Sequence, residues 1–111
     1  MIEICNLKNC KVEFDYDVRV DRTSVLGNPF RMYNETQRNK VCVDYEVYFD
    51  AQVASNNVAF LNELRRLYKI HQHYGKLRLF CWCYPKRCHA ETIKRFLEKY
   101  LEKNNLNQSE I

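Results

Sequence analysis

Only two glycines and two prolines occur in 111 residues. Tight turns that need positive φ must therefore be few, which argues against an all-β sandwich or barrel. No apolar run approaches the roughly 20 residues that cross a bilayer. The opening Met1-Ile2-Glu3-Ile4 has neither the basic nor the apolar stretch of a secretory leader, so the six cysteines are expected to be reduced thiols of a cytoplasmic protein. Phosphate-loop, dinucleotide-fingerprint, HExxH and GxSxG patterns are missing. Their absence removes the ATPase, dehydrogenase, metalloprotease and serine-hydrolase readings.

What remains is the composition of an ordinary globular domain, 46 % hydrophobic and 29 % charged. The aromatic share, 14 %, exceeds what a core of this size needs, so some rings are expected to line a surface or a ligand site. A net charge of +4 permits phosphate-bearing partners, nucleic acid among them, without demanding them.

Periodicity supplies the elements. Ile2 and Ile4 alternate in a short strand over 2–7. Phe14, Tyr16, Val18 and Val20 alternate in a second strand ending near Asp21-Arg22. Gly27-Asn28-Pro29-Phe30 breaks the chain into a loop. Val41, Tyr45, Tyr48, Phe49 and Val53 predict a helix over 37–53, with strand as the alternative because of its β-branched and aromatic content. A second helix follows the cap candidates Ser55-Asn56-Asn57 and stops at Gly75, with His71 and His73 solvated near its end. Residues 76–83 read as a strand apolar on both faces, hence central, with Cys81 in the core and Trp82 packed on the opposite face. A third helix begins near His89, and a frayed polar tail is expected over 104–111. The order predicts one α/β domain over 1–103, with about three helices on a small sheet containing at least one parallel strand pair. In such sheets ligands sit beyond the carboxyl ends of the strands.

Two segments occupy that position. The first, Arg19 to Arg31, gathers Asp21, Arg22, Thr23, Ser24, Gly27 and Asn28, and looks like any polar loop when taken alone. The second, Cys81-Trp82-Cys83-Tyr84-Pro85-Lys86-Arg87-Cys88-His89, allows two readings. Cys81, Cys83, Cys88 and His89 have the number and chemistry of a tetrahedral zinc set, but C-x-C and an adjacent Cys-His pair depart from the usual spacings. Alternatively, Lys86 and Arg87 flank a helix start whose N–H groups and dipole favour an anion. The same field would lower the pKa of Cys88 and leave His89 as a general acid or base. Cys5, Cys10 and Cys42 belong to no motif.

Together, Val20-Asp21-Arg22, Gly27-Asn28-Pro29-Phe30 and the Cys81 to His89 segment resemble the domain of unknown function family 4326 over most of residues 2–101. The resemblance implies a small α/β fold and a site joining the two motifs, in proteins often carried by bacteriophages, without an established activity. It marks Arg22, Asn28, Pro29, Cys81, Cys83, Cys88 and His89. Thr23-Ser24-Val25-Leu26 stands where the family usually has a glycine-rich approach to the GNPF turn.

The expectation is thus a phosphate-bearing small molecule, a nucleotide or a nucleoside, held by Arg22, Asn28, Pro29, Cys83, Lys86 and Arg87, with Cys88 and His89 carrying any catalytic step. The alternative is a zinc-stabilised interaction module, or a phage factor that binds a host defence protein in the host cytoplasm.

Overall fold

The computed structural model describes the backbone of residues 1–107 and side chains through residue 102. Three strands, β1 (Ile2–Asn6), β2 (Asp17–Arg19) and β3 (Leu77–Cys81), form one sheet in the order β1-β3-β2. Both pairings are parallel, so the three carboxyl ends lie on one edge of the fold. Three helices, α1 (Arg38–Ala54), α2 (Val58–Tyr74) and α3 (Ala90–Asn107), complete a small α/β domain. Residues 104–107 of the expected tail continue α3, and the remainder lies outside the described residues.

β3 is central because both of its faces are apolar. Leu77, Leu79 and Cys81 join Ile2, Val18 and Val20 in a core shared with Tyr45, Phe49, Phe60, Leu67, Ile93 and Leu97 from all three helices. Phe80 faces the other way and is fully buried. That second face is covered by the segment between β1 and β2. There the Arg78 guanidinium lies 5.2 Å from the Phe80 ring, 5.4 Å from Phe14 and 5.9 Å from Tyr16.

This cover explains why the second strand is shorter than its alternation predicts. Asp17 is buried, and its carboxylate accepts the Glu13 and Phe14 N–H groups at 2.9 and 3.0 Å, which closes a turn where an extended strand was expected. Phe14 and Tyr16 stack on one another and serve Arg78 instead of the sheet. Arg78 in turn grips Asp17 through two bonds of 2.7 and 2.8 Å. The third strand is also shorter than expected. Trp82 and Cys83 leave the ladder after Cys81, so Trp82 is half exposed and does not pack beneath the sheet.

The helices form where the spacing puts them. α1 buries Cys42, Tyr45 and Phe49, positions three and four apart, so the stripe runs through Cys42 while Val43 and Val47 face solvent. Asn57 caps α2 by accepting the Phe60 N–H at 3.3 Å, and Gly75 ends it at φ +69°, a left-handed conformation that glycine adopts with no Cβ penalty. His71, expected to be solvated, is half-buried against the Met1 amino group at 2.6 Å.

Candidate functional site

The carboxyl end of the sheet carries a cleft of about 550 Å³. Its walls come from the turn after β2, the loop through Phe30 to Tyr33, the first turns of α1, and the segment from Trp82 to His89. The two motifs far apart in sequence therefore meet around one space.

Two hydrogen bonds stitch them together. Trp82 Nε1 donates to Asp21 at 2.9 Å, and His89 Nε2 donates to the Val20 carbonyl. Asp21 also accepts from Arg19 and from the Thr23 hydroxyl at 2.6 Å. Burial would raise its carboxyl, but these hydrogen bonds outweigh it and hold the group well below the usual carboxylate range. The segment from Asp21 to Gly27 folds back in successive turns closed by Ser24 N–H to Asp21 and Gly27 N–H to Ser24. This explains the glycine. A Cβ at Gly27 would lie 2.5 Å from the Asp21 carbonyl oxygen and 2.7 Å from the Arg22 Cα. Gly27 is thus required by close backbone approach, and its φ is not positive.

The residues marked in the GNPF loop hold the loop itself. Arg22 donates to the carbonyls of Asn28 at 2.9 Å and Phe30 at 3.2 Å. Asn28 accepts the Phe30 N–H at 2.9 Å and reaches toward the Val41 carbonyl at 3.4 Å. Tyr45, buried in α1, donates to the Leu26 carbonyl at 2.6 Å and pins the loop to the helix. Pro29 is exposed and lies outside the lining of the cleft. Lys86 lies outside it as well, paired with Glu35 at 3.3 Å.

Four arginines line the cleft: Arg22, Arg31, Arg38 and Arg87. Arg38 donates to Glu35 and to the Arg87 carbonyl at 3.0 Å, and Arg87 reaches Asn39 at 3.3 Å. Arg31 has no partner among the described residues. Three exposed rings, Phe30, Tyr33 and Trp82, stand on the same walls. Cations therefore outnumber anions around a space edged with aromatic surface.

The start of α3 is less open to an anion than the sequence suggests. The Cys88 N–H donates to the Glu91 carboxylate at 3.1 Å, the Glu91 N–H returns to the Cys88 carbonyl at 3.1 Å, and the Cys88 sulfur takes the Ala90 N–H. The helix thus caps itself in the manner of a capping box. The positive charge in the cleft comes from side chains and not from a free helix end.

The thiols divide sharply. Cys88 is buried, its sulfur 3.5 Å from Nδ1 of His89 and beside the sulfurs of Cys81 and Cys83, among which its single S–H can serve one acceptor at a time. That hydrogen bonding, together with burial, pushes the Cys88 thiol far up, opposite to the shift expected from the helix start. The same contact lowers the other two sulfurs, which share that one proton. Cys83 lies well below the ordinary thiol range because Cys88 donates to it, with the Arg38 guanidinium adding to the effect against a partial desolvation cost. Cys81 is lowered by Cys88 too, and by the N–H groups of Cys83 and Tyr84, but it is fully buried. His89 is pushed down by burial, only partly offset by its bond to Val20. With Nε2–H fixed on a carbonyl, neutral His89 turns a lone pair toward Cys88. Among the described residues no group of three or more His, Cys, Asp or Glu is arranged to hold a metal ion.

Sequence reasoning missed three participants. Arg38 and Tyr33 belong to no motif or apolar stripe, and Cys42, also outside any motif, lines the cleft with them. Only contact across the fold identifies them.

The profile of one family, Domain of unknown function (DUF4326), matches residues 5–99. The chain belongs to that family. The match spans both motifs and every element from β1 into α3. No curated protein and no solved structure matches the chain. Among the described residues of this family member, no helix is long and apolar enough to cross a membrane.

Proposed function

We propose that the cleft binds a nucleotide, a nucleoside or another phosphate-bearing small molecule, between the GNPF loop and the start of α3. The observation that carries this reading is the convergence of Arg22, Arg31, Arg38 and Arg87 with Phe30, Tyr33 and Trp82 around about 550 Å³. That volume falls in the usual range for small-molecule sites. Guanidinium groups match phosphate oxygens in pairs, and aromatic faces stack on bases, so the two residue types together suit a nucleotide better than a bare anion. A phage-encoded member would meet such ligands in the host cytoplasm, whether it acts on them or sequesters them. Cys88 and His89, also on the cleft wall, would carry any catalytic step on what is bound.

A thermal-shift series with nucleoside monophosphates, nucleosides and inorganic phosphate tests the reading. A ligand at ten times its Kd stabilises the folded state by about 1.4 kcal/mol, or roughly 6–11 °C in Tm for a domain of this size. A nucleotide should give a larger rise than phosphate or nucleoside alone. Arg31→Ala should cut that rise to about a third or less, and Lys86→Ala should leave it. No shift with any of these ligands would sink the proposal.

A further inference from the structure

We infer that the cleft belongs to a longer binding surface for a single-stranded nucleic acid, with one nucleotide against Trp82 and the strand continuing over Tyr33, Tyr84 and Lys86 at the mouth. The inference rests on the nucleotide reading of the cleft and changes its ligand from a free small molecule to a unit of a polymer.

One nucleotide has one base, and the mouth of the cleft offers more ring surface than one base can use. Trp82 and Tyr33, 49 % and 82 % exposed, line the cleft. Tyr84, 44 % exposed, stands outside the lining on the wall that carries Trp82. Neither tyrosine ring belongs to the core, and neither side chain has a partner among the described residues. Their backbones, in contrast, are tied down. The Tyr33 N–H donates to Gln37 at 2.8 Å, and the Asn6 amide donates to the carbonyls of Tyr84 at 2.7 Å and Trp82 at 3.3 Å. Free rings on a fixed chain lose little freedom when a base stacks on them.

Trp82 is set for the first base. Asp21 holds its Nε1–H at 2.9 Å, and the Arg19 guanidinium lies 6.0 Å from the ring but outside the cleft lining. The cation backs the indole and leaves its cleft side open.

The two walls are joined at the mouth. Lys86 pairs with Glu35 at 3.3 Å, and Arg38 donates to the Arg87 carbonyl at 3.0 Å. Glu35 lies two residues after Tyr33 and Lys86 two after Tyr84, so this pair brings both tyrosines to the same opening. Rings and cations interleave on each wall, Arg31 beside Tyr33 on one, Lys86 and Arg87 after Trp82 and Tyr84 on the other. Among the described residues Asp21 is the one carboxylate of the lining, and Arg19 neutralises it. Excess cations with aromatic faces at intervals suit a polyanion that carries a base at every step. The strand must be single, because paired bases stack on one another and offer no face to a ring.

The fluorescence of Trp82, the one tryptophan of the chain, reads occupation of the cleft directly. The protein is titrated with adenosine and deoxyadenosine monophosphates, with adenylate and deoxyadenylate strands of about eight nucleotides, and with the deoxy strand paired to its complement. Monophosphates and single strands should quench Trp82, and the duplex should not. The tighter strand should bind at least about thirtyfold more strongly than its monophosphate, beyond the roughly eightfold that the choice of registers gives. Its affinity should fall with salt at a logarithmic slope of about 1.4 or more, two phosphates at about 0.7 each. Tyr84→Ala should weaken the strand at least about fivefold more than it weakens the monophosphate, and Lys86→Ala should lower the salt slope by about 0.7. Tight binding of either strand meets the expectation, and the tighter of the two identifies the sugar.

If the monophosphate quenches Trp82 and the strand binds no tighter than its registers allow, the polymer is overturned and the small-molecule cleft stands. If the strand binds tightly without quenching Trp82, or the duplex binds equally well, contact with the phosphate backbone alone replaces the inference. If neither monophosphate nor strand binds, the inference falls together with the reading beneath it.

Discussion

The two ends of the sheet are built from the same residue types and put them to opposite use. At the amino end, Arg78 meets Asp17 in a bidentate pair, and Phe14, Tyr16 and Phe80 surround the guanidinium. The charge is matched and the rings cover it. At the carboxyl end, four arginines and three exposed rings face an open cleft, and Arg31 has no partner among the described residues. Arginine next to aromatic surface is thus closed off by a carboxylate at the first end and, on the proposed reading, left partly open to a ligand at the second. Residues at the first end should govern stability, and residues at the second should govern binding.

The largest expected effect tests the first half of that contrast. Asp17→Ala leaves Arg78 uncompensated and frees the N–H groups of Glu13 and Phe14, which should cost about 3 kcal/mol in urea unfolding. Nucleotide affinity measured on the remaining folded protein should not change. The same pair predicts an acid response. Burial opposes ionisation of Asp17, but Arg78 and the two N–H groups hold its pKa at about 2, below the unfolded value of about 3.9. A depressed carboxyl contributes stability above the unfolded pKa, so the contribution is present above about pH 4 and is lost as pH falls toward 2. The difference in stability between wild type and Asp17→Ala should narrow across that window. A constant difference would mean that the pair contributes through packing alone.

Gly27→Ala comes next. Its Cβ meets backbone, the Asp21 carbonyl oxygen at 2.5 Å, so neither side can turn away as a flexible side chain would. Overpacking of this kind costs about 2 kcal/mol. Because the displaced backbone carries Asp21 and Arg22, this variant should lose both stability and nucleotide affinity. It is the one substitution expected to cross the division between the two ends.

Much of this arrangement was legible in the sequence. The two apolar faces of Leu77 to Cys81 correctly place β3 in the centre, and the helix caps at Asn57 and Gly75 sit where their chemistry suggests. The two motifs were read as one site, and they do meet. What was not legible depended on long-range partners. Alternation from Phe14 to Val20 looks like strand, yet Asp17 breaks it by capturing nearby N–H groups, and Arg78, 61 residues beyond Asp17, recruits the aromatics. Arg22 and Asn28 have the right chemistry for a ligand, but they spend much of it on the loop's own carbonyls and N–H groups. The expected shift of the Cys88 thiol reversed for a similar reason. A helix start lowers a thiol in general, but the donor relation among Cys81, Cys83 and Cys88 exists only once the strand end and the helix start are brought together.

Trp82→Phe probes the stitch between the motifs. It removes one hydrogen bond to Asp21, which keeps Arg19 and Thr23, so unfolding should fall by only about 1 kcal/mol. A phenyl ring retains much of the stacking surface, and nucleotide affinity should drop less than threefold, as judged by titration calorimetry. A loss above tenfold would show that the indole N–H, and with it the placement of Asp21, sets the shape of the cleft.

Arg31→Ala is the smallest expected change in stability and the sharpest test of the comparison. Arg31 is exposed, and among the described residues nothing accepts from it, so its removal should alter unfolding by no more than about 0.5 kcal/mol. Yet it lines the cleft with none of its donors engaged, whereas Arg38 and Arg87 are already shared with Glu35, Asn39 and Glu46. A charged hydrogen bond to a phosphate contributes about 1.5–3 kcal/mol, so nucleotide Kd should rise at least about tenfold. An arginine indifferent to folding but required for binding is what the carboxyl end of this sheet predicts. If Arg31→Ala instead destabilised the fold and left Kd unchanged, the excess charge around the cleft would be doing the same work as Arg78, and the contrast between the two ends would collapse.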